Sequence, residues 1–325
     1  MFAFRVALIA GGIAFACSAS ASAQTAVRYS MYSPPGLPSI QDHVAMQKGY
    51  FNQEGITLQG VTVQVGAQVV QLMETGELDI ANTAIVPWLL GAAKGVPYRL
   101  IMSAAKGNSA MVATPGVASV KDLNGKVVGT PGAGSQFAAH LRYLEKKEGV
   151  KFEYMHGQGM AQVLQLFQRG EITAFSGWEP FPAIAVRTMG AKYLQDFIRP
   201  DAMESVQFAV SDRFARQNPQ ATVKFLRAVL KAVMFMEQKP DEANRIIGDA
   251  LKVGPDVVKV AREHVLLTQP AHDRKAIRTY LDEMIADGRI AKDAVSDRSV
   301  FVDKLVDESY LGMAMDQLKR EGWKP

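Results

Sequence analysis

Gln68-Val69-Val70-Gln71-Leu72-Met73-Glu74-Thr75-Gly76-Glu77-Leu78-Asp79-Ile80-Ala81 is a block that this chain uses twice. Its second copy is Gln162-Val163-Leu164-Gln165-Leu166-Phe167-Gln168-Arg169-Gly170-Glu171-Ile172-Thr173-Ala174. Aligned without a gap, the copies share both glutamines, a valine, a leucine and the Gly-Glu pair. Each reads as an amphipathic helix stopped by a glycine, followed by a short apolar strand. Gly76 and Gly170 fall where a helix end needs a residue that tolerates positive φ. A proline-aromatic segment follows each copy. The repeat therefore predicts two similar lobes, and two lobes imply a crevice that can bind a ligand.

At 325 residues the chain is long enough for two domains of ordinary size. Apolar residues make up 48% and charged residues 21%, the balance of a soluble globular protein with true cores. The net charge of +4 is small for this length, and no block of basic residues occurs, so nucleic acid is not an expected partner.

The first residues differ from the rest. Arg5 precedes an apolar run from Val6 to Ala16, and small residues then lead to Ala21-Ser22-Ala23. A charged start, a short apolar stretch and an A-x-A site predict a secretory signal over 1–23 and a mature start at Gln24. The run is too short to cross ~30 Å of hydrocarbon as a permanent anchor, and no later stretch is long enough, so stable membrane insertion is not expected. The single cysteine, Cys17, lies inside this signal. Lipidation at Cys17 is the alternative, but Ala14-Phe15-Ala16 lacks the leucine of a lipoprotein signal. Cleavage after Ala23 leaves no cysteine for a disulfide, a thiol nucleophile or a thiolate metal site. The expectation from these residues is export.

In chain order, Val27–Tyr32 alternates as a first strand and is broken by Ser33-Pro34-Pro35-Gly36-Leu37-Pro38. Ser39 can cap the next helix. The first copy of the block leads to Asn82-Thr83-Ala84, which can open a helix through Trp88. Arg99–Ser103 and Met111–Ala113 read as strands, and Thr114-Pro115-Gly116 as a crossover. A second α/β unit follows, with strand 126–129, loop Thr130-Pro131-Gly132-Ala133-Gly134-Ser135 and helix 136–147. Val206–Val210 reads as the strand that carries the chain back. From Asn218-Pro219, a cap followed by proline at the first helical position, the pattern is helical to Trp323. Alternating β and α elements followed by helices predict an α/β protein with two sheets. The expected division is signal 1–23, first lobe 24–114, second lobe 115–207, and a return to the first lobe with C-terminal helices over 208–325.

Five segments in order carry a family resemblance: Met46-Gln47-Lys48-Gly49-Tyr50-Phe51-Asn52-Gln53-Glu54-Gly55-Ile56; Gly76-Glu77-Leu78-Asp79-Ile80; Ala92-Ala93-Lys94-Gly95-Val96-Pro97; Lys121-Asp122-Leu123-Asn124-Gly125-Lys126-Val127-Val128; and Trp178-Glu179-Pro180. Over roughly residues 27 to 240 the chain resembles the substrate-binding proteins of the nitrate, taurine, aliphatic-sulfonate and thiamine-pyrimidine importers. The resemblance implies a two-lobed type II periplasmic-binding-protein fold with two crossover strands. It also implies a small-molecule ligand held between the lobes and a closed form that docks on an ABC permease complex. The protein is expected to act as a monomer.

Ligands of open α/β sheets meet loops at the carboxyl ends of strands. Four loops qualify: 33–39, 82–85, 129–136 and 176–180. Gly132, Gly134 and Ser135 form the one with the clearest chemistry. Small residues at a helix start let backbone N–H groups approach an anion, worth ~0.3–1 kcal/mol. The alternative there is a tight strand-to-helix turn. Trp178 is either a cleft wall or a core tryptophan. Glu179 either accepts from a cationic ligand group or braces the opposite lobe. Asn82 and Thr83 either donate to an anion or cap a helix. Ser33, Pro35 and Gln68 are candidates by loop position.

Catalysis finds little support. His43, His140, His156, His264 and His272 show no metal-ligand spacing, and Ser135 and Ser176 lack the G-x-S-x-G turn. No metal or cofactor is expected, and the chain is not read as an enzyme. The expected function is capture of a small organic anion, sulfonate-like or carboxylate, for an ABC importer. An uncharged or aromatic pyrimidine-type ligand is the alternative. A sensor partner and a thiamine-pyrimidine-synthase-like enzyme are further ones, although that synthase depends on a cysteine-rich motif absent from the mature chain.

Overall fold

A computed structural model describes residues 24–108, 110–195 and 202–325; the expected secretory signal and Cys17 lie outside the described residues. The strands in chain order are β1 (Thr25–Tyr32), β2 (Ile56–Val63), β3 (Ile80–Ala84), β4 (Tyr98–Gly107), β5 (Met111–Ala113), β6 (Val127–Thr130), β7 (Glu153–His156), β8 (Ala174–Ser176), β9 (Lys192–Gln195), β10 (Glu204–Ser211) and β11 (Val265–Leu266). They form two sheets, ordered β11-β4-β10-β3-β1-β2 and β7-β6-β8-β5-β9.

The sheets are built to one plan. β1 pairs in parallel with β2 on one side and β3 on the other. β6 does the same with β7 and β8. Beyond the third strand of each unit lies an antiparallel one: β10 against β3, and β5 against β8. Each antiparallel strand is the first that the chain forms after changing sheets. The repeated block occupies equivalent places, as helices Gly66–Glu74 and Met160–Gln168 followed by β3 and β8. Gly76 and Gly170 have φ of 76° and 73°, as a left-handed helix stop requires. The N–H of Glu77 donates to Leu72 O at 2.8 Å, and that of Glu171 to Leu166 O at 3.0 Å, so both ends close in the same way.

Alternation along the strands splits the cores. Val27, Tyr29, Phe208 and Val210 face one side of the first sheet, against Phe225, Leu226 and Val229 of the Pro219–Gln238 helix. Ala81, Leu100 and Ala209 face the other, against Trp88, Tyr280 and Met284. In the second sheet Met111, Val128 and Ala174 pack with Leu141 and Leu144. Val112 and Phe175 pack with Val163, Phe167 and Phe181. Most of the C-terminal helical region thus covers the first sheet. No helix among the described residues is long and apolar enough to cross a membrane.

Two expectations about the lobes need correction. β4 ends at Gly107 in the first sheet and β5 begins at Met111 in the second, so the first passage precedes Thr114-Pro115-Gly116. That tripeptide is instead a turn after β5, closed by Val117 N–H on Thr114 O. On the return, β10 lies whole within the first sheet from Glu204, so no boundary divides it at 207/208. In both cases cross-strand pairing, invisible to a local reading, decides where a strand belongs. Ser39 and Asn218 do stand at helix starts, but neither side chain makes a capping hydrogen bond.

Candidate ligand-binding site

A cavity of about 480 Å³ lies between the two sheets, at the carboxyl ends of their parallel strands. The first sheet contributes Tyr32 at the end of β1, the Gln64–Gln68 stretch after β2, and Asn82–Ala84 at the end of β3. The second contributes Pro131–Phe137 after β6, Gly157 and Gln158 after β7, and Trp178 after β8. Asn108, Ser205 and Val206, next to the two passages between sheets, complete the wall. Among the described residues, none with a charged side chain lines the cavity.

Trp178 is half-buried: it lines the cavity and also packs against the core of the second sheet, edge-on to Phe181 at 5.9 Å. Its ring lies edge-on to Tyr32 from the opposite lobe, with centroids 6.2 Å apart, and 5.8 Å from Phe137 of its own. Across the cleft it packs on Gly36, where a Cβ would come within 2.6 Å of the indole. A side chain there would push the lobes apart. Behind Trp178, Ser33, Gln158 and Met160 border a second pocket of about 300 Å³.

Asn82 and Thr83 do not cap a helix. They lie in β3, and the Ile85–Ala93 helix begins after Ala84 without a side-chain cap. Both are buried at the cavity wall. Thr83 Oγ1 and the Tyr32 hydroxyl are 2.7 Å apart, and burial pushes that phenol up to about 12. The Asn82 amide nitrogen donates to Asp42 Oδ2 at 3.2 Å and to the Tyr29 hydroxyl. Its Oδ1 is thereby left as a buried acceptor without a partner among the described residues. Gln136, on the opposite wall, has the same property at Oε1. A buried acceptor left unpaired costs about 1–3 kcal/mol, so these two atoms are places for ligand N–H or O–H groups.

Three helices start at the wall: Gly66–Glu74, Ile85–Ala93 and Gln136–Glu148. Ser135 serves as the N-cap of the last, accepting from Ala138 N–H at 3.1 Å. The turn and the anion-cradle descriptions of Gly132-Ala133-Gly134-Ser135 are therefore compatible. At Gly134 an added Cβ would meet nothing within 4 Å, so internal packing does not demand glycine there. Gln68 lines the cavity while its Oε1 accepts from Gln64 N–H at 3.0 Å.

Three sequence candidates fall outside the main cavity. Ser33 borders only the second pocket, and Pro35 borders neither, because the chain turns inward only from Gly36. Glu179 is fully buried and on neither wall. Its carboxyl accepts from Tyr193 OH at 2.8 Å and Ala183 N–H at 3.1 Å, and burial pushes it up to about 8. Its backbone is the brace: Leu37 N–H of the opposite lobe donates to Glu179 O at 2.8 Å. Glu179 N–H donates to Asn108 Oδ1 at 2.9 Å. Asn108, with φ of 53°, is a wall residue that the sequence analysis did not single out; the Gly107-Asn108 pair, two residues that tolerate positive φ, was the available signal. Gln64–Ala67 and Gly157-Gln158 were missed because they lie ahead of the repeated sequence block and carry no chemistry of their own.

Two α/β lobes joined by two passages, with a cavity between their strand ends, define the class: a two-lobed type II periplasmic-binding-protein fold. The chain belongs to the family described as NMT1/THI5 like, whose model matches residues 39–243. A putative aliphatic sulfonates-binding protein of Bacillus subtilis (strain 168) is 25% identical over 84% of this chain and 84% of its own length. The 4-amino-5-hydroxymethyl-2-methylpyrimidine phosphate synthase THI12 of Saccharomyces cerevisiae is 24% identical over 62% of this chain and 64% of its own. Among solved structures, the alkanesulfonate-binding protein SsuA from Xanthomonas axonopodis pv. citri, bound to MOPS, superposes with a TM-score of 0.75. It is 17% identical, and the match covers 88% of this chain and 99% of that one.

Proposed function

We propose that this protein is a periplasmic solute-binding protein that captures a small organic anion, sulfonate-like or carboxylate, between its lobes for delivery to an ABC importer. The observation that carries the ligand class is the convergence of three helix N-termini on a cavity whose described walls hold no acidic side chain. Helix starts offer unpaired N–H groups and partial positive charge, enough to hold an anion without a cationic side chain. The sulfonate-binding relative supports the same class. Donor groups elsewhere on the ligand would meet Asn82 Oδ1 and Gln136 Oε1, so a ligand carrying both an anionic head and N–H or O–H groups fits best. Contacts from both lobes favour the closed form by the ligand's differential affinity for it. Site roles then follow for Gln68, Asn82, Thr83, Gly132, Gly134, Ser135 and Trp178, together with Tyr32 and Gln136. The experiment is a thermal-shift screen of the mature protein with aminosulfonates, alkanesulfonates, carboxylates, nitrate and neutral pyrimidines. Stabilisation by anions carrying donor groups is expected, and stabilisation by neutral pyrimidines alone would refute the anion.

The uncharged aromatic ligand is the second reading, favoured by the Tyr32–Trp178–Phe137 wall and the lack of an arginine or lysine on it. The same screen decides between them. An enzymatic role of the kind named for the yeast relative is not proposed, since the lining, among the described residues, holds no cysteine, histidine or carboxylate to act as nucleophile or base. Turnover of a ligand by purified protein would overturn that.

A further inference from the structure

The Gln136–Glu148 helix, from the second lobe, lies against the Arg274–Ala286 helix of the C-terminal region. His140 Nε2 and the Tyr280 hydroxyl are 2.9 Å apart, and Lys146 Nζ pairs with Asp287 Oδ1 at 2.5 Å. One helical turn before Lys146, on the same side, stands Arg142. Two residues after Asp287 stands Arg289, held in the turn by its own N–H on Met284 O at 2.9 Å. Nε and Nη2 of Arg142 and Nε and Nη1 of Arg289 are all buried, and none has a hydrogen-bond partner among the described residues.

The two guanidiniums lie close enough for their charges to interact. Burial, and after it the charge of Arg142, holds Arg289 below the ordinary arginine range, at about 10, against the opposing pull of Asp287 and Glu283. Arg142 also adds to the lowering of His156, after burial. Among the described residues, the nearby carboxylates are engaged elsewhere: Asp287 is paired with Lys146, Glu145 accepts from Phe152 N–H and Tyr154 OH, and Glu283 has an interaction of its own. Like charges that share a half-buried site with unfilled donors are unfavourable unless an anion joins them.

We propose that Arg142 and Arg289 form an anion site separate from the cavity, which takes an oxyanion of the phosphate or sulfate type between the two guanidiniums. Planar guanidinium forks match the oxygen spacing of such anions, and neither residue lines the cavity. Because one arginine belongs to the second lobe and the other to the C-terminal region packed on the first, a bound oxyanion ties the two halves together.

The test is thermal unfolding of the mature protein in inorganic phosphate or sulfate, at ionic strength held constant with chloride. At an anion concentration about tenfold above its dissociation constant, a rise of about 3 °C is expected. The rise should vanish in both Arg142→Gln and Arg289→Gln and persist in Trp178→Ala, which alters the cavity instead. Arg142→Lys keeps the charge without the fork and should need about tenfold more anion, a readout that survives if a glutamine variant does not fold. No rise with either oxyanion overturns the proposal. So does a rise that both glutamine variants retain, or one lost in Trp178→Ala alone, which would place the anion in the cavity.

Discussion

The two copies of the repeated block share their chemistry up to the end of the strand and part company there. In both, a glutamine bends back to accept the N–H of the loop before its helix: Gln68 from Gln64 at 3.0 Å, and Gln162 from Gln158 at 2.7 Å. Both helices stop at a positive-φ glycine, and both following strands pair with the middle strand of their three-stranded parallel unit. Beyond the strands, Ala84-Ile85 runs straight into an apolar helix, whereas Trp178-Glu179 at the aligned positions forms a cavity wall and a buried carboxyl. The first copy's helix opens on the main cavity and the second's on the smaller pocket behind Trp178. Duplication thus supplies matched frames, and the few residues after each frame differentiate them.

The sharpest contrast is electrostatic. Glu179 occupies the place of the apolar Ile85, and burial raises its carboxyl to about 8. A raised folded-state value means that the native protein holds a proton which the unfolded chain has released. Its contribution is intact below the ordinary carboxyl range and is lost as pH rises from there through about 8. Thermal unfolding across that window should show stability falling by a few kcal/mol at most, and Glu179→Gln should flatten the fall. An unchanged slope in the variant would remove Glu179 as its source.

Next in size is Trp178→Ala, which removes the wall present in only one copy. Affinity for the cognate ligand should drop about 30-fold or more by titration calorimetry, with the fold retained by circular dichroism. Full affinity in the variant would take Trp178 out of the site. A smaller, symmetric effect tests the frames themselves. Gly76→Ala and Gly170→Ala each force an L-residue into positive φ and should cost about 1–2 kcal/mol in denaturant unfolding. A large inequality between them would show that the stops are not equivalent. The smallest effect separates frame from function. Gln68→Ala and Gln162→Ala should each cost about 0.5–1.5 kcal/mol of stability, but only Gln68, on the main wall, should also weaken ligand binding.

Local signals located most elements. Val27–Tyr32, Met111–Ala113 and the 126–129 strand are legible because alternation and turn residues are encoded within a few positions. Gly132, Gly134, Ser135, Asn82, Thr83, Gln68 and Trp178 all line the cavity, because the segments after parallel strands gather at one sheet edge. Glu179 and Pro35 share such loops but point elsewhere, since loop membership does not say which way a side chain turns. Ser205 was not legible, and Asn108 only through the Gly107-Asn108 pair. They meet only because β10 returns beside β3 and β4, a pairing between segments far apart in the chain.

The sequence by itself determined the repeated frame, its glycine stops, the α/β class and the family, because periodicity, positive-φ glycines and ordered motifs are local properties. Only the tertiary structure decided where the chain changes sheets, that Glu179 is fully buried while Trp178 is half-buried at the cavity, and that the charges of Arg142 and Arg289 come within range of each other. Those outcomes depend on strand pairing and helix packing across long sequence separations, where burial and neighbouring charge are set by partners that no local stretch contains.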